Sequence, residues 1–382
     1  MASGTMAGTE AGAGQATAPA STTAPAPASA APSAPAAPSA TARQGSAGLA
    51  TVNRYRLLGL IASIAALALA LLLSMVIGSK DVDPASLWPA ITAYDGSPEH
   101  VIIHDLRFPR TVVGVLVGVA LGLSGALIQA MTRNPLADPG ILGVNAGAGF
   151  FVVLGVALFG VTSIQEYIWF SFAGAVIATV IVYLIGSMGR GGATPLRLTL
   201  AGVALGAVLG GVSSGITLLR PAVFDSMRNW TAGTLSNRSW DIVATVAPFI
   251  VVGTIIALAL ARPLNAVAMG DDTATSLGAN IFRTRTWTII AVTLLCGAAT
   301  AAAGPIGFVG LMIPHVARWI VGPDQRWILA YTLVLSPVLL LVSDVLGRLV
   351  LRPGEMQVGI ITAFVGAPVL IWLIRRRKVS TL

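Results

Sequence analysis

Residues 125–149 read GALIQAMTRNPLADPGILGVNAGAG and join one apolar run to the next through a short polar turn. Asn134, Pro135, Pro139 and Gly140 interrupt the helical pattern, because proline lacks a backbone donor and glycine permits tight turns. The stretch therefore predicts a membrane helix that ends, turns back and re-enters the apolar layer.

A second stretch, 304–318, reads GPIGFVGLMIPHVAR and has a similar character. Gly304, Gly307 and Gly310 predict a flexible turn, and Pro314 predicts a kink in the helix that follows. For both stretches the plain alternative is that these residues only shape the backbone. Bending helices around a pathway is, however, itself a function of a membrane transporter.

Composition around these stretches indicates a polytopic membrane protein. The chain has 382 residues, of which 55% are hydrophobic and 10% charged, with a mean hydropathy of +0.84. Water-soluble domains carry far more charge. The net charge of +8 could suggest a nucleic-acid partner. Basic residues at cytoplasmic helix ends explain it better, so no nucleic acid is expected.

The chain divides into a tail and one membrane domain. Residues 1–53 are rich in Ala, Pro, Ser and Thr, which predicts a disordered cytoplasmic tail. Residues 54–378 form the expected membrane domain, with a polar loop at 262–285. Cys296 is the sole cysteine and the three histidines do not have zinc-ligand spacing, so no disulfide framework or metal site is expected.

Nine apolar runs are long enough to span a bilayer. Both chain ends look cytoplasmic from their arginines, which requires an even number of spans. The run after Thr286 is broken by Gly304 and Pro305, and splitting it gives ten. The runs are Leu57–Ser79, Thr111–Thr132, Pro139–Gln165, Tyr167–Gly189, Leu198–Leu219, Ile242–Ala261, Thr286–Pro314, Trp327–Ser343 and Met356–Ile374.

Charge bias supports this orientation, with 15 Lys and Arg on the cytoplasmic side and 8 outside. The fold expected is therefore all-α, in the plasma membrane, with both termini cytoplasmic. The breaks at Asn134-Pro135 and at Gly304-Pro305 lie five spans apart on opposite sides, as an inverted repeat would place them.

Two spans carry glycines four residues apart. They are Gly114, Gly118 and Gly122 in the second span and Gly202, Gly206 and Gly210 in the fifth, and the pentapeptide GVALG occurs in both. Small residues on one helical face predict close helix packing in lipid.

The polar loop 262–285 predicts a short amphipathic helix between two spans. Asp271 or Asp272 suits its start, and Gly278 suits its end. Ala266, Met269, Ala274 and Leu277 give it an apolar side. A helix of this kind between two spans predicts a docking site for a partner.

Energy for transport is not expected to come from this chain. It lacks a GxxxxGK[ST] phosphate-binding loop, and acidic residues are scarce in its apolar runs. The first excludes ATP binding by that loop, and the second disfavours a proton- or sodium-coupled carrier. The chain is therefore not expected to be an enzyme.

The two stretches, in this order and spacing, resemble the FecCD-type permeases of ABC importers for ferric siderophores, haem and vitamin B12. The resemblance runs from about Arg54 to Lys378. It implies an inverted-repeat type II permease fold with ten spans, a dimer of permease subunits, two ATPase subunits that bind ATP and Mg, and an extracytoplasmic binding protein. The residues that carry the two motifs are Gln129, Asn134, Pro135, Pro139, Gly140, Gly304, Gly307, Gly310, Pro314 and His315.

The resemblance also implies roles for particular positions. The family's coupling helix, which docks into the ATPase, matches residues 268–278, where Gly270-Asp271 stands in place of the common Gly-Glu. Its expected contact residues are Gly270, Asp271, Asp272, Ala274, Leu277 and Gly278.

Arginines on the outer face are expected to meet acidic residues of the binding protein. LRFPR (106–110) supplies Arg107 and Arg110, and SDVLGR (343–348) supplies Arg348. The alternative is that these arginines bind lipid phosphates. Three further outer arginines, at 220, 228 and 238, match no motif and are expected to be solvated.

A cytoplasmic gate is expected just before the fifth span, at Thr194, Pro195 and Leu196. His315 is better explained as a polar residue at a helix end than as a metal ligand.

The sequence thus predicts the permease subunit of an ATP-driven importer, with an iron–siderophore complex as the expected substrate. Haem and vitamin B12 remain alternatives, and so does an ATP-independent carrier. A membrane scaffold has little support, because the cytoplasmic loops are too short to form domains.

Overall fold

A computed structural model describes residues 53–78, 80, 82–188 and 194–376, so almost all of the predicted tail lies outside the described part. The described residues form fifteen α-helices, joined by short turns. They are α1 (Asn53–Val76), α2 (Leu87–Thr92), α3 (Pro98–Val101), α4 (Phe108–Thr132), α5 (Val144–Phe159), α6 (Ile164–Ser187), α7 (Pro195–Leu219), α8 (Pro221–Thr231), α9 (Trp240–Ala259), α10 (Ala261–Ala268), α11 (Asp271–Ser276), α12 (Ile281–Ala303), α13 (Val309–Val321), α14 (Gln325–Val350) and α15 (Val358–Arg376).

The ten predicted spans correspond to ten apolar helices. Seven of these, namely α1, α4, α6, α7, α9, α12 and α14, are long and apolar enough to cross a bilayer. The other three, α5, α13 and α15, are shorter apolar helices. The all-α membrane fold is confirmed for the described residues.

The split predicted at Gly304 and Pro305 is confirmed. Helix α12 ends at Ala303, Gly304 has a positive φ of 77°, and α13 begins only at Val309. A side chain at Gly304 would also collide with the backbone of Trp230, so glycine serves both the turn and the packing there.

Helices α4 and α12 form the centre of the bundle. Helix α4 packs against α9, α12, α13 and α14, while α12 also contacts α5 and α6. The alanines along the second half of α12 are buried, and small side chains of this kind let helices approach closely in lipid.

The bundle has two distinct ends. We call the end that carries α10 and α11 the loop end. The other end carries α2, α3 and several buried arginines, and we call it the arginine end. Helix α4 runs from the arginine end, where it begins at Phe108, to the loop end.

Candidate functional site

The two sequence motifs meet in the interior. Gly125 on α4 lies against Gly310 on α13 so closely that a side chain on Gly125 would collide with the Gly310 backbone. The two glycines therefore permit a backbone contact between the second and eighth spans.

The Gln129 side chain donates the hydrogen bond to the Gly310 carbonyl that Pro314 cannot supply. Pro314 has no N–H, so the carbonyl of Gly310, four residues earlier, loses its helical donor. The fully buried Gln129 side chain donates through Nε2 to the carbonyls of Gly310 at 3.3 Å and Leu311 at 3.0 Å. Its Oε1 accepts from Arg318 Nη1 at 3.3 Å. Gln129 thus links both motifs through polar contacts in an apolar interior.

The turn after α4 is built from side-chain caps. Arg133 adopts a left-handed conformation, Asn134 Oδ1 accepts from the Leu136 N–H at 3.0 Å, and Asp138 Oδ1 accepts from the Gly140 N–H at 2.7 Å. Burial raises the pKa of Asp138, although the Gly140 hydrogen bond opposes that rise.

A 3₁₀ turn, Pro139–Leu142, follows and packs against α7. The chain then enters α5 at Val144. The predicted turn-back at Asn134, Pro135, Pro139 and Gly140 is therefore seen.

The predicted helix at 268–278 is shorter than expected. Helix α10 ends at Ala268, Gly270 has a φ of 110°, and α11 covers only Asp271–Ser276. Since glycine accepts a positive φ and other residues resist it, Gly270 separates the two helices. Gly278, with a φ of 80°, follows the end of α11 as predicted.

Neither Asp271 nor Asp272 caps α11, although one of the two was expected to do so. No side-chain cap is formed at the start of α11. The Asp271 carboxylate instead pairs with Arg133 at the end of α4 and with Arg285 on α12, the latter at 2.9 Å. One side chain therefore ties α11 to both central helices.

The apolar residues of this loop divide into buried and exposed sets. Ala274 is fully buried, whereas Met269 and Leu277 are 58% and 63% exposed. Asp272 is also exposed. The loop therefore presents two large apolar side chains and a carboxylate at its surface.

At the arginine end, the three predicted docking arginines are buried. Arg107, Arg110 and Arg348 are only 5%, 9% and 2% exposed. The expectation that these guanidinium groups lie on the surface is therefore corrected, because each has partners within the chain. Their docking role stays a prediction.

Two of these arginines hold the end of α1. Arg107 donates to the carbonyls of Met75, Val76 and Lys80 at 2.6–2.7 Å. Arg348 donates to the carbonyls of Ser74 and Ile77 at 2.9 and 2.8 Å. The last carbonyls of a helix lack internal donors and carry partial negative charge, so cations are favoured there.

Asp344 joins the other charges into one network. It accepts from Arg110 at 2.8 Å and from Arg348 at 2.6 Å, and it is only 2% exposed. Arg110 also pairs with Glu355 at 2.8 Å, which accepts from Ser236 Oγ at 2.6 Å. Burial would raise the pKa of Glu355, but Arg110 and Ser236 lower it below the ordinary value.

Arg238 was expected to be solvated, and this is wrong. It is 4% exposed and donates to the carbonyls of Ala302, Ser236 and Thr234. Burial, together with the charge of Arg110, lowers its pKa to about 10. Ala302 lies in the last turn of α12, so Arg238 is stabilised by carbonyls as Arg107 is.

The predicted gate residues lie at the start of α7. Thr194 caps the helix by accepting from the Arg197 N–H at 3.4 Å, Pro195 is its first residue, and Leu196 is 69% exposed. Their role as a gate stays a prediction. His315 is half-buried on α13, one residue after Pro314.

Sequence reasoning missed Glu355 and the bridging roles of Gln129 and Asp271. Asp344 and Arg348 could be paired from their spacing of four residues in an apolar helix. No local pattern reveals that Glu355, 245 residues from Arg110 along the chain, shares the network.

Comparison with known proteins identifies the family. The FecCD transport family matches residues 66–376. The chain is 51% identical to the ferric enterobactin transport system permease protein FepD of Escherichia coli (strain K12), covering 81% of this chain and 93% of FepD. It is 40% identical to the probable siderophore transport system permease protein YfiZ of Bacillus subtilis (strain 168), covering 83% and 95%.

A solved structure shares the fold. It is described as an inward-facing conformation of a metal-chelate type ABC transporter, and it matches with a TM-score of 0.74 at 24% identity, covering 83% of this chain and 99% of that one. Together with the family match over most of the chain, these findings show that the protein is a multi-pass membrane permease belonging to the FecCD transport family.

Proposed function

We propose that the chain is the membrane subunit of an ATP-driven importer for an iron–siderophore complex. The observation that carries this proposal is the 51% identity to a ferric enterobactin permease over 311 residues. The aligned part covers 81% of this chain and 93% of that permease. Haem and vitamin B12 are the alternative substrates.

The proposed orientation places the loop end and both termini in the cytoplasm. The excess of Lys and Arg on that side supports it, because positive residues are retained at cytoplasmic helix ends. The arginine end then faces the binding protein that delivers the substrate.

Two cytoplasmic ATPase subunits would supply the energy, with ATP and Mg bound by them. The exposed Met269 and Leu277, next to the exposed Asp272, are the proposed contact on this chain. Asp271 would transmit movement of α11 to α4 and α12, since it pairs with an arginine at the end of each.

A second permease subunit, identical or paralogous, is proposed to cover α7. Only 6% of an apolar stretch of 18 residues in α7 is buried within the chain. A translocation pathway between two α7 helices would place Thr194, Pro195 and Leu196 at its cytoplasmic mouth, as the gate.

The arginine end is proposed as the docking face for the binding protein. Four buried arginines (107, 110, 238 and 348) lie at this end, and two of them, Arg110 and Arg348, pair with Asp344. If these arginines met acidic residues of the binding protein, the complementary charges would fix its orientation. Docking through Arg107, Arg110 and Arg348 themselves would require their internal bonds to open.

Uptake of radioactive iron in a deletion strain tests the substrate. Cells that lack this permease should lose uptake of an iron–siderophore complex and keep uptake of haem and cobalamin. Plasmid-borne wild type should restore uptake. If haem or cobalamin uptake alone were lost, the siderophore proposal would be wrong.

Replacement of Leu277 tests the coupling contact. Leu277→Arg should abolish uptake and co-purification of the ATPase, because it places a charge on the exposed apolar contact. The matched variant Leu277→Met keeps an apolar side chain of similar size and should retain both. Normal uptake by Leu277→Arg would contradict the proposed contact.

A further inference from the structure

A pocket opens at the loop end where α9 and α10 meet the start of α12. Its volume is about 560 Å³, within the size range of ligand sites. It extends from the turn 278–280 onto the sides of two membrane helices. The residues that line it include Ile255, Gly278, Asn280, Arg283 and Trp287.

The apolar wall of this pocket faces outward from the bundle. Ile255 on α9 is 62% exposed, and Trp287 on α12 is 42% exposed. Ile290, one turn further along α12, is also exposed. In a membrane protein such side chains face lipid, and an exposed tryptophan near a helix end marks the interface with water.

The polar wall of the pocket is cationic. Arg283 is exposed and lines the pocket, and none of the lining residues is acidic. Arg285, two residues further on, pairs with Asp271. Among the described residues, by contrast, the Arg283 guanidinium has no ion-pair or hydrogen-bond partner. The pocket thus presents an uncompensated positive charge beside Asn280.

We propose that this pocket binds an anionic phospholipid. The phosphate would lie at Arg283 and Asn280, and the acyl chains would follow the apolar wall of Ile255 and Trp287. An occupant must be polar at one end and apolar at the other. A water-soluble partner docked on α11 does not meet that requirement, because this wall belongs to membrane helices. Basic pockets between membrane helices recognise anionic headgroups in this way.

The proposal is independent of the transported substrate, since it rests only on the pocket and its position in the membrane. Gly278, which follows the end of α11, also lines the pocket. A bound lipid would therefore contact the base of the helix proposed to meet the ATPase.

Native mass spectrometry of the full chain, purified in mild detergent, tests the site. Phosphatidylglycerol and phosphatidylcholine with the same acyl chains are added in equal amounts, and the ratio of the two retained lipids is measured. Wild type should retain phosphatidylglycerol preferentially. Arg283→Gln should lower that ratio about fivefold, the effect of removing one cation near an anionic lipid.

Two further variants make the test specific. Arg283→Lys keeps the charge and should keep the preference. Arg326→Gln removes an exposed arginine at the same end, outside the pocket lining, and should leave the ratio unchanged. Thermal unfolding of Arg283→Gln should match wild type, because its side chain is exposed.

Three results would overturn the proposal. Wild type could show no preference for the anionic lipid, or Arg326→Gln could lower the ratio as much as Arg283→Gln. The third result concerns a free anion: inorganic phosphate alone could bind in an Arg283-dependent manner while the lipids show no headgroup preference.

Discussion

Helices α4 and α7 have nearly the same sequence pattern and opposite surroundings. Each has 25 residues, three glycines spaced four apart and the pentapeptide GVALG. In the helical segment Pro98–Thr132, which contains α4, 78% of an apolar stretch of 18 residues is buried, whereas in α7 the corresponding figure is 6%.

The contacts of the glycines explain the difference. A side chain at Gly118 on α4 would come within 2.7 Å of the Pro337 backbone on α14. On α7, Gly202 packs against the carbonyl of Ile141, but Gly210 has nothing within 4 Å. The glycine pattern of α4 is therefore used for packing within the chain. Most of the glycine face of α7 has no neighbour within the chain, which supports the proposal that a second subunit packs against it.

The largest effect is expected at the arginine end, on replacement of Asp344 in α14. Asp344→Asn removes the carboxylate that pairs with the buried Arg348 and one of the two that pair with Arg110. Breaking a buried ion pair on one side costs on the order of 3–5 kcal/mol. The measurement is thermal unfolding of the purified chain in detergent, where a large fall in melting temperature is expected.

Asp105→Asn is the matched control. Asp105 lies at the same end, but its side chain is 49% exposed and, among the residues that the structure describes, pairs only with His104. Its replacement should change stability by less than about 0.5 kcal/mol. Equal melting temperatures for the two variants would show that the arginine end is not held by Asp344.

Alanine at Gly118 and at Gly210 tests the comparison itself. Gly118→Ala should destabilise the chain by about 1–3 kcal/mol, because the added methyl group meets the Pro337 backbone. Gly210→Ala should leave the stability of the single chain unchanged. The melting temperatures of the two alanine variants, measured by thermal unfolding, test this difference.

A bulkier replacement, Gly210→Trp, should keep the fold of the chain but prevent its assembly with a second subunit, as measured by the mass of the purified complex. If Gly210→Trp assembled normally, α7 would not be the subunit interface.

Because Gln129 compensates for the N–H that Pro314 lacks, the effects of replacing these two residues on the free energy of unfolding should not add. Gln129→Leu should cost about 1–3 kcal/mol, because it leaves the Gly310 carbonyl and Arg318 without a buried partner. In a Pro314→Ala background the new N–H can bond to Gly310, so the same replacement should cost about 1 kcal/mol less. Additive effects on unfolding in this double-mutant cycle would mean that Gln129 does not serve the Pro314 kink.

The smallest effect expected is the loss of stability at low pH that follows protonation of Glu355. Its pKa lies below the ordinary value of 4.5. Its stabilising contribution is therefore fully present above pH 4.5 and is lost as the pH falls through the lowered pKa. Between pH 6 and 3, wild type should lose up to about 1 kcal/mol more stability than Glu355→Gln, because the half-buried carboxylate is partly screened. Parallel losses in the two proteins would contradict the role of Glu355 in anchoring the start of α4.

Ten apolar helices and the break at Gly304 and Pro305 could be predicted from the sequence, since length, hydropathy and helix-breaking residues are local properties. The burial of α4 and the exposure of α7 could not. The same glycine spacing suits either a neighbouring helix of the same chain or a second subunit.

The candidate site was predictable to a similar degree. The loop at 262–285 was located by its polarity and its glycines. Asp271 or Asp272, however, was expected to cap α11. Asp271 instead pairs with Arg285 on α12 and with Arg133, which lies 138 residues away along the chain. Arg107, Arg110 and Arg348 were correctly placed at one end, but their exposure was misjudged. Charge count alone does not show that helix-end carbonyls and Asp344 use these cations.

Uptake in proteoliposomes tests the central claim most directly. The chain is reconstituted with its ATPase, its second permease subunit and its binding protein, and entry of a radioactive iron–siderophore complex is measured. The account predicts uptake that requires ATP and the binding protein and that disappears in Leu277→Arg. Uptake by the permease chain alone, driven by an ion gradient and indifferent to ATP, would contradict it.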